Sequence, residues 1–133
     1  SSRSKSTTYD IMDKSYVTLE TAKLLKEKGF NEWCEWVYED HGATHSTIDA
    51  DFVGHSNSNL ENNQYAIPLQ SEAQTWLRNR KNVIVIVDYD IVYSKKWDYE
   101  IWYDGALRVS SFERYDSYEE ALEKGLKEAI DFI

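Results

Sequence analysis

The chain is predicted to fold as an α+β domain in which an antiparallel β-meander of three to four strands is covered by helices on one face. Three observations predict this class. The run Asn82 to Tyr93, NVIVIVDYDIVY, has the β-branched density of a strand, and two further apolar and aromatic segments follow it across short turns. Three other segments carry apolar residues at helical spacing behind a capping residue. The 133 residues are 41% hydrophobic and 14% aromatic, which is enough apolar area for a core without staples.

Residues 1–13, SSRSKSTTYDIMD, are polar and unpatterned and are expected to form a flexible arm, leaving 14–133 as a single domain. Thr18 can cap a helix over about 18–28 whose apolar face is Leu19, Ala22, Leu24 and Leu25, with Gly29 as its stop. Phe30 to Glu39, FNEWCEWVYE, is aromatic-rich between Gly29 and a polar run, which favours a strand. A long polar loop is expected at about 40–66, around Gly42, Gly54 and the run from His55 to Asn59.

Pro68 precedes a second helix. Ser71 and Gln74 fit a capping box, Ala73, Trp76 and Leu77 make its buried stripe, and Arg78 to Lys81 close it with positive charge. The Asn82 to Tyr93 strand turns at Ser94–Lys96 into a strand over Trp97 to Asp104, and Asp104-Gly105 signals a tight hairpin into a third strand at about 106–113. Ser117 and Glu120 cap the last helix, whose broad face is Tyr118, Ala121, Leu122, Leu126, Ala129, Ile130 and Ile133.

The turn assignment fixes an expected register. With Ser94–Lys96 as the loop, Tyr93 faces Trp97, Ile91 faces Tyr99, Tyr89 faces Ile101 and Val87 faces Tyr103, all on the core side. The opposite side then carries Asp88, Asp90, Asp98, Glu100 and Asp104 around Trp102 and Val92. That set reads as a solvated face or as an acidic surface for a basic partner, with a carboxylate site for a divalent cation as a further reading.

Charge is uneven along the chain. The net charge is −9, and residues 29–77 hold eight acidic side chains and no Lys or Arg. Concentrated basic charge is what phosphate binding needs, so direct binding of duplex nucleic acid is not expected. The C-terminal half has the α–β–β–β–α order of a double-stranded-RNA-binding domain, but its last helix opens Ser117-Tyr-Glu-Glu, the wrong sign for phosphate. A small basic set, Arg78, Arg80, Lys81 and Arg108, is the exception and the candidate for a phosphorylated ligand.

His41, His45, Asp49 and Asp51 are of metal-ligating type, but their spacing matches no closed zinc site. Cys34 is a lone cysteine among Glu32, Glu35, Glu39 and Asp40, whose charge opposes a thiolate, so it reads as a buried structural residue in a reducing cytoplasm. No GxSxG, Walker, GxGxxG or HExxH pattern occurs, so the sequence carries no motif for an enzyme and implies no cofactor. No apolar run approaches the length of a membrane span.

Three blocks carry a resemblance. Tyr16 to Phe30 (YVTLETAKLLKEKGF) with Cys34 after it, Pro68 to Arg78 (PLQSEAQTWLR) and Tyr115 to Leu126 (YDSYEEALEKGL), joined by the hairpin at 82–103, resemble a family of small phage- and prophage-encoded proteins of gut Bacteroidetes. Leu69 stands where that family usually has Thr. The resemblance brings no catalytic residues with it. It implies a small accessory protein of a phage or mobile element, working in the cytoplasm of a bacterial host by binding. The expected partner is a host protein of a defence system, engaged through the acidic surface. The alternatives are an oligomer, at least a homodimer, that sequesters a signalling nucleotide through the basic set, and a metal-dependent enzyme using the hairpin carboxylates.

Overall fold

The computed structural model of the chain describes residues 15–40 and 46–133, with the backbone alone over 46–53. The expected arm at 1–13, together with His41 and His45, lies outside the described residues, as do the side chains of Asp49 and Asp51. The fold is α+β, with three α-helices and two three-stranded antiparallel sheets. It divides into two compact units, Ser1–Leu69 and Gln70–Ile133, where the sequence reading expects one domain.

In the first unit, Thr18 starts helix α1 (Leu19–Glu27): its backbone is extended and its side-chain oxygen accepts from the Thr21 N–H. Gly29, at φ +95°, leads the chain out in a conformation that side chains avoid. Helix and stop therefore fall where the sequence places them. The buried face is Thr21, Ala22 and Leu25.

Strand β1 (Cys34–Asp40) is central, with β2 (Ser46–His55) on one side and β3 (Gln64–Ile67) on the other, both antiparallel. Much of the expected 40–66 loop is thus strand. β1 supplies ladder partners on both its edges, and Ile48, Ala50 and Phe52 alternate with Asp49 and Asp51 in the period-two pattern of a strand, a signal hidden by the polar residues around it. The segment after β2 is pinned by Asn57, only 7% exposed, whose Nδ2 donates to the Phe30 carbonyl at 2.8 Å and whose Oδ1 accepts from the Ala66 N–H at 3.0 Å. Cys34 is buried, as its structural reading requires.

In the second unit, α2 (Gln70–Lys81) leads into β4 (Val83–Tyr89), β5 (Trp97–Tyr103) and β6 (Ala106–Ser110), a meander in the order β4-β5-β6, and α3 (Tyr118–Ile130) closes it. Both helices pack against β4 and against each other. The anticipated capping box at Ser71 does not form, because the helix already begins at Gln70 and Ser71 is exposed within its first turn. Gln74 is used differently: its Nε2 donates to the Val85 carbonyl at 2.7 Å. Ser117 does cap α3, accepting from the Glu120 N–H at 3.1 Å. Gly125 in α3 admits the sheet, since a Cβ there would lie 2.8 Å from Val85 Cγ1 and 3.2 Å from Tyr99 Cγ.

The register differs from the expected one by four residues. Tyr89 pairs with Trp97, Val87 with Tyr99, Val85 with Ile101 and Val83 with Tyr103. An even shift preserves the faces, so Val83, Val85, Tyr99 and Ile101 are buried on the anticipated side. The turn is consequently a seven-residue loop, 90–96, instead of Ser94–Lys96. Asp104 (φ 54°) and Gly105 (φ 80°) form the expected two-residue hairpin, and β6 ends at Ser110, short of 113.

Candidate binding surface

The early end of β4 is explained by one side chain. The Asp90 carboxylate accepts from the backbone N–H groups of Val92 (3.2 Å), Tyr93 (3.2 Å) and Ser94 (3.1 Å) and from the Ser94 hydroxyl (3.1 Å). These local bonds compete with continued strand pairing and fold residues 90–96 into a defined loop. They also hold the Asp90 carboxyl below the usual carboxylate range, chiefly through the Tyr93 and Ser94 amides. Lys95, at φ 54°, completes the turn, and the Asp90 N–H donates to the Lys96 carbonyl at 2.9 Å.

The loop carries its apolar side chains outward. Ile91 is 72% exposed, Val92 67% and Tyr93 88%. A fourth, Phe112, is fully exposed at the same end of the sheet, where the chain leaves the β5 ladder after Ser111 and rejoins it at Tyr115, opposite Trp97. Below them the sheet end is well packed: Trp97 lies 4.8 Å from Tyr89 and 5.4 Å from Tyr118 between ring centroids. Lys96 pairs with Asp116 at 3.1 Å beside this end.

The open face of the sheet adjoins the loop. Asp88 and Asp98 are direct cross-strand neighbours, Ile86 faces Glu100, Ile84 faces Trp102, and Leu107 faces Trp102 from the other side. Ile84, Ile86 and Leu107 are exposed by 36–46%. Arg114 pairs with Asp98 at 3.6 Å, which offsets the repulsion between opposed carboxylates, and Glu100 accepts from the Trp102 indole N–H at 3.1 Å.

Of the acidic set read from the sequence, Asp88, Asp98, Glu100 and Trp102 therefore share one face. Asp90 and Asp104 do not join them, because the first is spent on the loop and the second sits in the β5–β6 turn. Val92 likewise leaves the face for the loop. Among the described residues no three His, Cys, Asp or Glu side chains gather as a metal site, so the hairpin carboxylates do not converge on an ion.

The basic set is split between two elements. Arg78, Arg80 and Lys81 lie in the last turn of α2, with Arg78 donating to the Thr75 hydroxyl at 3.3 Å and Lys81 5.4 Å above the Trp76 ring. Arg108, on β6, donates to the Tyr103 carbonyl at 3.2 Å. A helix C-terminus presents carbonyls, so this end of α2 offers a phosphate no backbone donors.

A shallow cleft of about 350 Å³ runs along the first half of α3, lined by Arg114, Tyr115, Asp116, Glu120, Glu123 and Lys124. Behind it, Tyr99 donates a short hydrogen bond to Glu128 and stacks at 6.0 Å on Tyr115, whose hydroxyl donates to Glu113 at 3.1 Å. Burial, followed by the carboxylate each one contacts, pushes both phenols upward in pKa. Both stay protonated at neutral pH and act as donors, Tyr99 tying β5 to α3 and Tyr115 bonding locally to Glu113.

Sequence reasoning assigned Ile91 to Tyr93 to a strand and did not single out Phe112. The signal available was Asp90 followed by Ser94, a pairing typical of side-chain-capped turns. No protein-family model matches the chain, and neither a curated protein nor a solved structure is detectably similar to it. Among the described residues no helix is long and apolar enough to cross a membrane.

Proposed function

We propose that this chain is a binding protein that docks on a protein partner through the β4–β5 end of its C-terminal sheet. The observation that carries the reading is the Asp90-pinned loop, which presents Ile91, Val92 and Tyr93 to solvent beside Phe112. Exposed large apolar side chains on a preorganised loop act as anchors, since little conformational entropy is lost when they are buried. Asp88, Asp98 and Glu100 border them and favour a partner with a basic rim, adding speed and selectivity to the encounter. The resemblance to small phage-encoded proteins supports a host component in the bacterial cytoplasm as that partner, and inhibition as the consequence.

Affinity capture from host lysate with the wild-type chain and the Ile91→Ser, Val92→Ser, Tyr93→Ser variant tests this. A specific partner retained by the wild type, released more readily as salt rises and lost by the loop variant at unchanged melting temperature, is the expected result. Equal capture by the two proteins would refute the reading.

A further inference from the structure

The two faces of the C-terminal sheet are unequally covered. Helix α3 packs on one of them, against β4 and β5, where Val85, Tyr99 and Ile101 are buried. The other presents rungs of side chains that the strand register sets in order: Ile84, Trp102 and Leu107 across the first, Ile86, Glu100 and Ser110 across the second, and Asp88 beside Asp98 across the third.

The first rung is apolar throughout. Ile84 is 36% and Leu107 46% exposed on either side of Trp102, and Ile86, 39% exposed, continues the patch along β4. A solvated sheet face ordinarily alternates to polar residues, and this one keeps three large aliphatic side chains. The third rung carries charge that the fold answers only in part. Asp98 has Arg114 at 3.6 Å, and Glu100 accepts from the Trp102 indole N–H at 3.1 Å. The Asp88 carboxylate, directly opposite Asp98, takes part in no ion pair or side-chain hydrogen bond among the described residues. Like charges in that position repel, so a cation brought from outside relieves the pair.

Size and charge select the occupant. Three strands spaced about 4.8 Å apart make a strip roughly 10 Å wide, the diameter of one helix, and the segment from Ile84 to Asp88 spans about 13 Å, or about nine residues of helix. A sheet face offers side chains and no backbone groups. An extended segment lying on it would leave its own N–H and carbonyl groups without partners, whereas a helix satisfies them internally. A second copy of this face brings no free cation to Asp88, since its Arg114 is already held by Asp98. An anionic lipid surface is repelled by Asp88, Asp98 and Glu100.

We propose that this open face receives an amphipathic helix of the protein partner, with its apolar stripe over Ile84, Ile86, Trp102 and Leu107 and a Lys or Arg over Asp88. Apolar residues at i, i+3, i+4 and i+7 suffice to cover the strip. Because Asp88 lies at the end of β4 next to the 90–96 loop, the cation also sets direction: the basic end of the helix points toward the loop. The partner is that of the loop-docking reading, on which the proposal rests, but the helix engages none of Ile91, Val92, Tyr93 or Phe112.

The test titrates two synthetic peptides into the isotopically labelled full chain and follows the amide resonances. Each peptide has about 15 residues, the length at which an isolated helix begins to hold, with one Leu stripe and either Lys or Glu in its last turn. The lysine peptide is expected to shift the amides of Ile84 to Asp88, Trp102 and Leu107 and to bind about tenfold more tightly than the glutamate peptide at low salt, a gap that closes at high salt. Asp88→Asn is expected to remove most of that gap, and Leu107→Ser to weaken both peptides, each at unchanged melting temperature. The Ile91→Ser, Val92→Ser, Tyr93→Ser variant is expected to keep the lysine peptide in full, which separates the two surfaces: lysate capture reads the loop, and the peptides read the face. Equal binding of the two peptides, shifts confined to residues 90–96, loss of the lysine peptide by the loop variant, or no shift on the face at millimolar peptide would overturn the proposal.

Discussion

Asn57→Ala is expected to be the most costly polar truncation in the N-terminal unit. The side chain satisfies two backbone groups at once, the Phe30 carbonyl and the Ala66 N–H, from a position only 7% exposed. A buried backbone group left without its partner costs about 1–3 kcal/mol, so losing two, with some relaxation, costs about 3 kcal/mol. Urea denaturation reads this as a midpoint lowered by about 1–3 M at unchanged slope, given slopes of about 1–3 kcal/mol per M for small proteins. Asn57→Asp separates the two bonds. It keeps an acceptor for the Ala66 N–H but points a carboxylate at the Phe30 carbonyl, which raises the folded-state pKa of that carboxyl. A raised folded pKa adds stability below the unfolded pKa and loses it as pH rises, so Asn57→Asp approaches the wild type in acid and resembles Asn57→Ala at neutral pH. A cost below about 1 kcal/mol for Asn57→Ala, or an Asn57→Asp variant indifferent to pH, would show that the paired bonds do not hold this segment.

Two further outcomes test the second unit. Gly125→Ala gains about 1 kcal/mol in helix propensity but drives a Cβ against the stiff Val85 side chain, an overpacking cost of about 1–3 kcal/mol, so a net loss of melting temperature is expected; in a Val85→Ala background the same change costs less, because only the closer approach to the Tyr99 ring remains. Tyr99 has its folded pKa raised above the ordinary 10.0 by burial and by Glu128, so its contribution is complete below about pH 10 and is lost at more alkaline pH; Tyr99→Phe flattens that alkaline decline in a pH series of denaturation curves.

How far the chain could be read from its residues varied by element. Thr18, Gly29, Ser117 and the Asp104-Gly105 pair place their helix ends and turn correctly because each acts on backbone groups within a few residues of itself. The core face of β4 and β5 was legible for a similar reason. Side chains alternate with period two, so a register error of four residues leaves Val85, Tyr99 and Ile101 on the buried side. The candidate surface was legible only in part. Asp88, Asp98, Glu100 and Trp102 follow from that alternation, whereas the exposure of Ile91 to Tyr93 depends on where the hairpin stops.

The α+β class, the caps at Thr18 and Ser117, the acidic balance and the two faces of the main hairpin are determined by the sequence itself, through local backbone chemistry and short periodicities. Pairing decided the rest. Residues 46–55 carry a short period-two alternation, Ile48, Ala50 and Phe52 between Asp49 and Asp51, inside a polar stretch that reads as a loop, and 64–67 is too short to mark itself; both are strands paired with β1, one on each edge. The hairpin register was settled by competition between four bonds to the Asp90 carboxylate and a few more rungs of ladder, a balance visible only once the chain is folded.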